Sequence, residues 1–302
     1  MKTILTLYSQ PFPPRMLKVS ENFYSYARKH GLIICRGFIA DFDQKKNVFK
    51  KALFFENDQW IWKKNIRPDS IHDRSLYYQK GANFSLKKII EKNFPFFNGE
   101  ELSGIMSDKW ITYKTFRKFS PKVVLIKSSS DLKKINSLSS DKIILKPVTG
   151  SGGMGIKITT KNSIGEMPYP FIAQELIETN GYKKWVKGAH DLRVMVINET
   201  PFHSFLRIPP KGKLIANLSQ GGRIKLIDPK ELPLSIQRII KVVSKKLGRF
   251  KQKMYAIDFI FDKNEKPWII ELNSRPGIAL EEEELPVRDK YYDNLINFYL
   301  SL

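Results

Sequence analysis

The sequence predicts a mixed α/β chain in three units. Strand-like runs interleave with a helical stretch in the N-terminal third, a strand, a glycine loop and a second strand follow in the middle, and two hairpins flank a one-sided helix towards the end. At 302 residues the chain is long enough to bury a sizeable core, with a length prior of about two domains. Hydrophobic residues make up 42% and charged ones 27%, a globular composition, and no apolar run approaches the roughly 18 residues that spanning a bilayer requires. The expectation is a soluble protein. Cys35, the single cysteine, excludes an internal disulfide and a cysteine-built zinc cage, and it fits a reducing compartment, the cytoplasm by default.

The N-terminal run MKTILTLYSQPFPPR is interrupted by Tyr8, Ser9 and Gln10 and has no small-residue cleavage site, so it is read as a first strand. Strand-like runs at Ile33-Ile34 and at Ala52 to Phe55 then precede a helix, FSLKKIIEKNF, in which Leu86, Ile89 and Ile90 sit at helical spacing. These place an α/β domain at 1–106. A helix start at Ser107-Asp108 opens KWITYKTFRKF, where Trp110, Tyr113 and Phe116 share a face. From Pro121 the pattern is strand (VVLI), a helix capped by Ser130 (DLKKINSL), strand (KIIL), glycine loop, strand (IKITT) and strand (FIAQELIE), a small α+β unit that closes at 180. The third unit, 181–302, opens with the hairpin DLRVMVI and FHSFLRI around Asn198-Glu199-Thr200. It continues with a helix whose Ile236, Ile239, Ile240, Val243 and Leu247 form a core stripe, and with the hairpin MYAIDFIFD and KPWIIELN.

Three groups of residues carry chemistry. In KIILKPVTGSGGMGIKI the glycines at 150, 152 and 155 satisfy G-x-G-x-x-G, but the loop runs into a β-branched alternation instead of opening the helix that a dinucleotide loop requires. No Gly-Lys-Ser/Thr follows, and the lysine of a protein-kinase loop comes after its glycines, whereas Lys146 precedes them. What remains is a glycine flap, Gly150, Ser151, Gly152, Gly153 and Gly155, whose N–H groups can lie over phosphates with Lys146 on the strand before it. A glycine-rich hairpin without a ligand is the plain alternative. Next, Glu271 and Asn273 are two apart on a strand and point to one face, and with a turn centred on Lys263-Asn264-Glu265 Asp258 falls opposite Glu271 to within one residue. Such an oxygen set suits magnesium, which prefers carboxylates plus phosphates and water. The alternative is a structural cluster neutralised by an arginine, with Arg275 the candidate. The last group is Asp191 and Arg193, two apart on a strand, with Arg207 on the next and Asn217, Gly221 and Gly222 beyond; guanidinium forks match the geometry of a phosphorylated carboxylate.

Taken together, residues 108 to 277 resemble the ATP-grasp superfamily, most closely its RimK-type branch of peptide and amino-acid ligases. The resemblance implies an ATP-grasp fold (α/β, α+β): an N-terminal domain at 1–106, a central lid at 107–180 and a C-terminal catalytic antiparallel sheet at 181–302. Lys109 and Lys146 match the family's two phosphate lysines. AQELIE matches its adenine hinge, with the backbone of Glu175, Leu176 and Ile177 at the base and Glu178 at the ribose. HDLRVMVI is similar to its D-x-R strand, which assigns Arg193 a catalytic role, Arg207 to the arginine that steadies the transferred phosphate, and Asn217 with Gly221-Gly222 to its N-x-x-x-G-G turn. IIELNSRPG is similar to its E-x-N metal signature, with Asp258, Glu271 and Asn273 as ligands. SDKWITYKTF and NSRPG also resemble bacterial spore-coat-associated ATP-grasp proteins, and the D-x-R strand and ELN ending are similar to tubulin tyrosine ligase-like enzymes. The implied cofactors are ATP and magnesium, with manganese as a substitute; the implied reaction joins a carboxylate to an amine through an acyl phosphate. Arg275 departs from the family, where a small residue is common at that position.

The net charge of +22 is more than ATP chemistry needs. A field of that sign steers polyanions, so the expected carboxylate or amine partner is acidic, an Asp/Glu-rich peptide or protein or a polyanionic metabolite; solvated surface lysines are the plain alternative. A kinase-like enzyme that stops at the phosphorylated substrate keeps the same nucleotide site. A nucleic-acid-binding protein accounts for the charge but lacks a recognisable reader module and gives no reason for Asp258, Glu271 and Asn273 to converge.

Overall fold

Strand β1 (Lys2–Tyr8) is buried from Ile4 to Tyr8 on both of its faces, as a strand inside a parallel sheet must be. The computed structural model describes residues 1–10, 14–150, 153–214 and 221–301. In these, β1 pairs in parallel with β2 (Leu32–Phe38) and β6 (Ser70–Asp73), and β6 in turn with β7 (Phe96–Phe97). Beyond β2 the sheet turns antiparallel through β4 (Val48–Glu56), which pairs with β3 (Phe42–Asp43) and with β5 (Gln59–Ile66). Helices α1 (Pro14–Lys29) and α2 (Ala82–Asn93) connect these strands; Ile90 of α2 packs into a core with Leu5, Leu7, Cys35 and Ile71. The terminal helix α6 (Arg288–Leu300) joins the same unit, where the Phe298 ring packs tilted against that of Phe97, with 4.5 Å between centroids. By their contacts Met1–Gly104, Gly248–Tyr255 and Ser274–Leu302 form one compact unit.

Ile105–Leu247 and Ala256–Asn273 form the second unit. After α3 (Glu100–Ser107), Asp108 caps α4 (Lys109–Phe116) by accepting a hydrogen bond from Ile111 N at 2.9 Å, the start read from Ser107-Asp108. An antiparallel sheet follows in the order β10 (Lys157–Thr160), β9 (Lys142–Pro147), β11 (Phe171–Glu175), β8 (Val123–Ile126), so the glycine loop joins two strands, as its sequence context requires. The expected α-helix at DLKKINSL is instead a 3-10 segment, Ser129–Ser137. Serine and aspartate side chains there compete for the backbone: Asp131 Oδ2 accepts from Lys127 N at 2.9 Å, Ser137 Oγ donates to Lys134 O at 2.8 Å, and Ile135 is the one buried residue of the segment.

A short pair, β12 (Gly181–Tyr182) and β13 (Val186–Lys187), leads to a five-stranded antiparallel sheet in the order β16 (Arg223–Leu226), β15 (Thr200–Ile208), β14 (Asp191–Ile197), β17 (Met254–Phe261), β18 (Pro267–Asn273). Helix α5 (Leu234–Lys246) is followed directly by Leu247, and the five residues of the expected stripe, Ile236, Ile239, Ile240, Val243 and Leu247, are all buried. No described helix is long and apolar enough to cross a membrane.

Candidate active site

Side chains of the second unit surround a cavity of about 310 Å³. Its floor comes from the five-stranded sheet. On β14 the two-residue alternation puts Asp191 and Arg193 on one face, and the register sets Asp191 opposite Arg207 of β15. On the other side, β17 and β18 pair Asp258 directly with Glu271 and Ala256 with Asn273, so the expected face-sharing of Asp258, Glu271 and Asn273 is present. A bulge after Asp258 skips Ile270, which lines the cavity beside Glu271.

These charges are tightly matched. Arg193 Nε donates to Asp258 Oδ1 and its Nη2 to Asp258 Oδ2, both at 2.7 Å, while Arg207 Nη2 donates to the same Oδ2 at 2.7 Å and its Nε to Asp191 Oδ1 at 2.6 Å. Asp258 is 2% exposed. Burial pushes its carboxyl up, but the two guanidinium groups outweigh that and hold it below the usual carboxylate range. Burial, helped by the charge of Asp258, raises Asp191 to about 7 against the pull of Arg207. The arginines that neutralise the buried carboxylate are therefore Arg193 and Arg207. Arg275, the sequence candidate for that role, belongs to the other unit, where its Nη1 donates to Ser75 O.

The wall comes from the four-stranded sheet. Lys146 on β9 is 8% exposed and its side chain makes no hydrogen bond or ion pair among the described residues; burial lowers it to about 8, Glu271 opposes that shift and Lys109 reinforces it. Lys109 is the first residue of α4 and donates from Nζ to Gly150 O at 2.7 Å; burial lowers its pKa too, again against Glu271. The Glu271 side chain makes no hydrogen bond or ion pair among the described residues and has these two ammonium groups as its electrostatic neighbours. In the glycine loop Gly150 has φ +117°, and Gly155 has φ +72° with Pro147 Cγ 3.0 Å from where a Cβ would stand, so both positions are built for glycine. Gly153 lines the cavity; Ser151, Gly152 and Asn217 lie outside the described residues.

Of the hinge residues, Glu175, Leu176 and Ile177 line the cavity. The strand ends at Glu175, earlier than FIAQELIE suggested. Leu176 N donates to Lys142 O at 3.3 Å and the Glu175 side chain accepts from Ser139 N at 2.5 Å. Glu178 is exposed, lies outside the cavity lining, and faces Lys263 with Oε2 3.9 Å from its Nζ. Sequence reasoning missed Gln174. It is 4% exposed, lines the cavity, and its Oε1 has no partner among the described residues. Its signal was a polar residue inside an apolar strand, one place before the hinge. Ile144, Ile156, Ile158, Ile260 and Ile270 supply apolar walls. The cavity thus joins these apolar walls to a polar end formed by Lys146, Arg193, Arg207, Asp191, Asp258, Glu271 and Asn273. Among the described residues no group of three or more His, Cys, Asp or Glu side chains is arranged to hold a metal ion.

A family model for the prokaryotic glutathione synthetase ATP-grasp domain matches residues 109–273. The fold is similar to that of D-alanyl-alanine synthetase A from Vibrio cholerae, with TM-score 0.64, 12% identity, and 99% of this chain and 96% of that chain covered. It is similar to a Chryseobacterium gregarium RiPP-associated ATP-grasp ligase in complex with ADP and a leader and core peptide, with TM-score 0.63, 16% identity, and 98% and 97% covered. It is also similar to a D-alanine–D-alanine ligase from Bacillus anthracis complexed with ATP, with TM-score 0.62, 15% identity, and 100% and 97% covered. The search of curated proteins found no match.

Proposed function

The chain belongs to the family of the prokaryotic glutathione synthetase ATP-grasp domain, and from that premise we propose that it is an ATP-dependent carboxylate–amine ligase of the RimK-type branch. One observation carries the reading: Lys146 and Glu271, whose side chains make no hydrogen bond among the described residues, line one cavity with the Arg193–Asp258–Arg207 cluster. Two features support a nucleotide with its metal there. The donors at Asp258, Glu271 and Asn273 are all oxygen, and Gln174 presents a buried acceptor without a partner next to the hinge. The division into an N-terminal domain at 1–106, a lid at 107–180 and a catalytic sheet at 181–302 belongs to the same proposal, as does a cytoplasmic location; Ser274–Leu302 group by contact with the N-terminal unit.

In this reading the backbone of Glu175, Leu176 and Ile177 borders the base, and Lys109, Lys146 and the loop glycines hold the phosphates. Asp258, Glu271 and Asn273 would hold magnesium, which would supply charge that neutralises the phosphates. A carboxylate oxygen of the substrate attacks the γ-phosphorus and the bond from phosphorus to the ADP oxygen breaks. Arg193 and Arg207 stabilise the transferred phosphoryl charge. The amine nitrogen then attacks the acyl carbon, the carbon–oxygen bond breaks, phosphate leaves and the amine gives up a proton.

The net charge of +22 supports an acidic peptide or protein as one substrate, and the ligase held with leader and core peptides supports a peptide in particular. The test is a panel of amino acids and acidic peptides assayed for ADP release with and without an amine acceptor. ADP and phosphate released only when both are present support the ligase; ADP released at the same rate without an amine assigns a kinase-like enzyme instead.

A further inference from the structure

In the N-terminal unit, β6 ends at Asp73 among parallel strands, and the chain leaves its carboxyl end as an irregular loop. That end of a parallel sheet is where α/β folds take their ligands. The loop is pinned from several sides. Ser75 donates from its N and its Oγ to Asp73 Oδ1 at 2.9 and 2.6 Å, Leu76 N donates to Ser9 Oγ at 2.7 Å, and Tyr78 N donates to Glu100 Oε1 at 2.8 Å. A loop fixed in this way holds its side chains in place ahead of any ligand.

The charges on it do not balance. Lys87, 1% exposed, bridges both Asp73, at 2.8 Å, and Glu100, so the local carboxylates are already shared by a buried ammonium. Arg74 and Arg275 add two guanidinium groups. Arg74 Nε and Nη1 are shielded from solvent and have no hydrogen-bond partner among the described residues. Arg275 donates to the Ser75 carbonyl; burial lowers its pKa, Asp73 opposes that, and Arg74 pushes the same way as burial. Arg74 is half-buried, so its two shielded nitrogens are costly to leave without a partner, and the planar fork they belong to matches a carboxylate.

We propose that Arg74 and Arg275 form a binding site for the carboxylate group of a substrate at the carboxyl end of β6. The identification of that anion as substrate rests on the ligase reading; the anion site itself does not. With Lys87 shared by Asp73 and Glu100, a monoanionic carboxylate matches the one guanidinium, that of Arg74, whose Nε and Nη1 have no partner among the described residues, whereas a dianionic phosphate exceeds it.

The test is thermal unfolding of the full chain without nucleotide, using L-glutamate as the probe, sodium chloride at matched ionic strength as the control and inorganic phosphate as the competing anion. Wild type should show a saturating rise of a few degrees in Tm with glutamate that chloride and phosphate do not reproduce. Arg74→Met should unfold no lower than wild type without the probe, because it removes an unmatched charge, and should lose the rise; Arg74→Lys should keep part of it. The proposal is overturned if wild type shows no glutamate-specific rise, if Arg74→Met keeps the full rise, or if Arg74→Met lowers Tm in the absence of the probe, which would make Arg74 a structural residue. Titration of wild type with MgATP tests the ligase reading separately.

Discussion

Arg193 grips Asp258 with a two-pronged hydrogen bond, Nε to Oδ1 and Nη2 to Oδ2, both 2.7 Å long. Arg207 shares Oδ2 from the neighbouring strand, so one buried carboxylate anchors two guanidinium groups that face the cavity. The same carboxylate therefore has a structural duty in the free protein and a metal-binding duty in the proposed complex.

The two duties separate in mutants. Asp258→Asn leaves two largely buried cations without their main counter-charge and should cost about 3 kcal/mol of unfolding free energy as well as ATP turnover. Glu271→Gln removes no hydrogen bond among the described residues and should abolish turnover at a cost of about 1 kcal/mol or less. Denaturant titration of both variants measures the contrast; equal destabilisation would place Glu271 in the structural network.

The pH dependence follows from Lys146. Burial lowers its folded-state pKa from 10.5 to about 8, so between those values the unfolded chain binds a proton that the folded chain has released. Stability should rise with pH across that window in wild type and should lack that rise in Lys146→Met. Affinity for phosphate should fall as pH passes about 8, since the neutral amine no longer offers a charge. Parallel stability curves for wild type and Lys146→Met would contradict the buried, unmatched lysine.

Much of this site was legible in the sequence, for a physical reason. Side chains alternate along a strand, so Asp191 with Arg193 and Glu271 with Asn273 share faces, and counting back from the turn at Lys263-Asn264-Glu265 sets Asp258 opposite Glu271 to within one residue, the residue that the bulge after Asp258 supplies. The partner of Asp258 was not legible. Arg193 lies 65 residues away and reaches it because β14 and β17 are neighbours, an order of strands that no local periodicity records. Arg275, close to Asp258 along the chain, is turned into the other unit. Gln174 escaped because only burial distinguishes an acceptor in a cavity from a polar residue on a strand edge. Glu178, which the resemblance assigns to the ribose, is exposed and outside the cavity lining, and the strand that FIAQELIE suggests ends at Glu175, because no periodicity marks where a strand gives way to the chain beyond it.

Gln174 gives a prediction with opposite signs for stability and binding. Gln174→Leu replaces a buried amide whose Oε1 has no partner with an apolar group of similar size, so the free protein should be as stable as wild type or more so. ATP affinity should fall about tenfold, the loss of roughly one buried hydrogen bond. Denaturant unfolding and nucleotide titration on the same variant check both signs.

The surplus charge should appear in substrate choice. With the net charge at +22, kcat/KM for an acidic peptide should exceed that for a neutral peptide at low salt, and the advantage should shrink as the screening length falls towards about 8 Å at physiological ionic strength. Equal rates at low salt would leave the lysines as solvated surface.

The most direct measurement is an equilibrium titration of ATP into wild type, Lys146→Ala and Glu271→Gln, each with and without magnesium. Wild type should bind ATP more tightly with magnesium, Lys146→Ala should bind at least about tenfold more weakly in both conditions, and Glu271→Gln should lose the magnesium effect. Failure of wild type to bind ATP, or binding indifferent to magnesium and to both substitutions, would contradict the proposed nucleotide site.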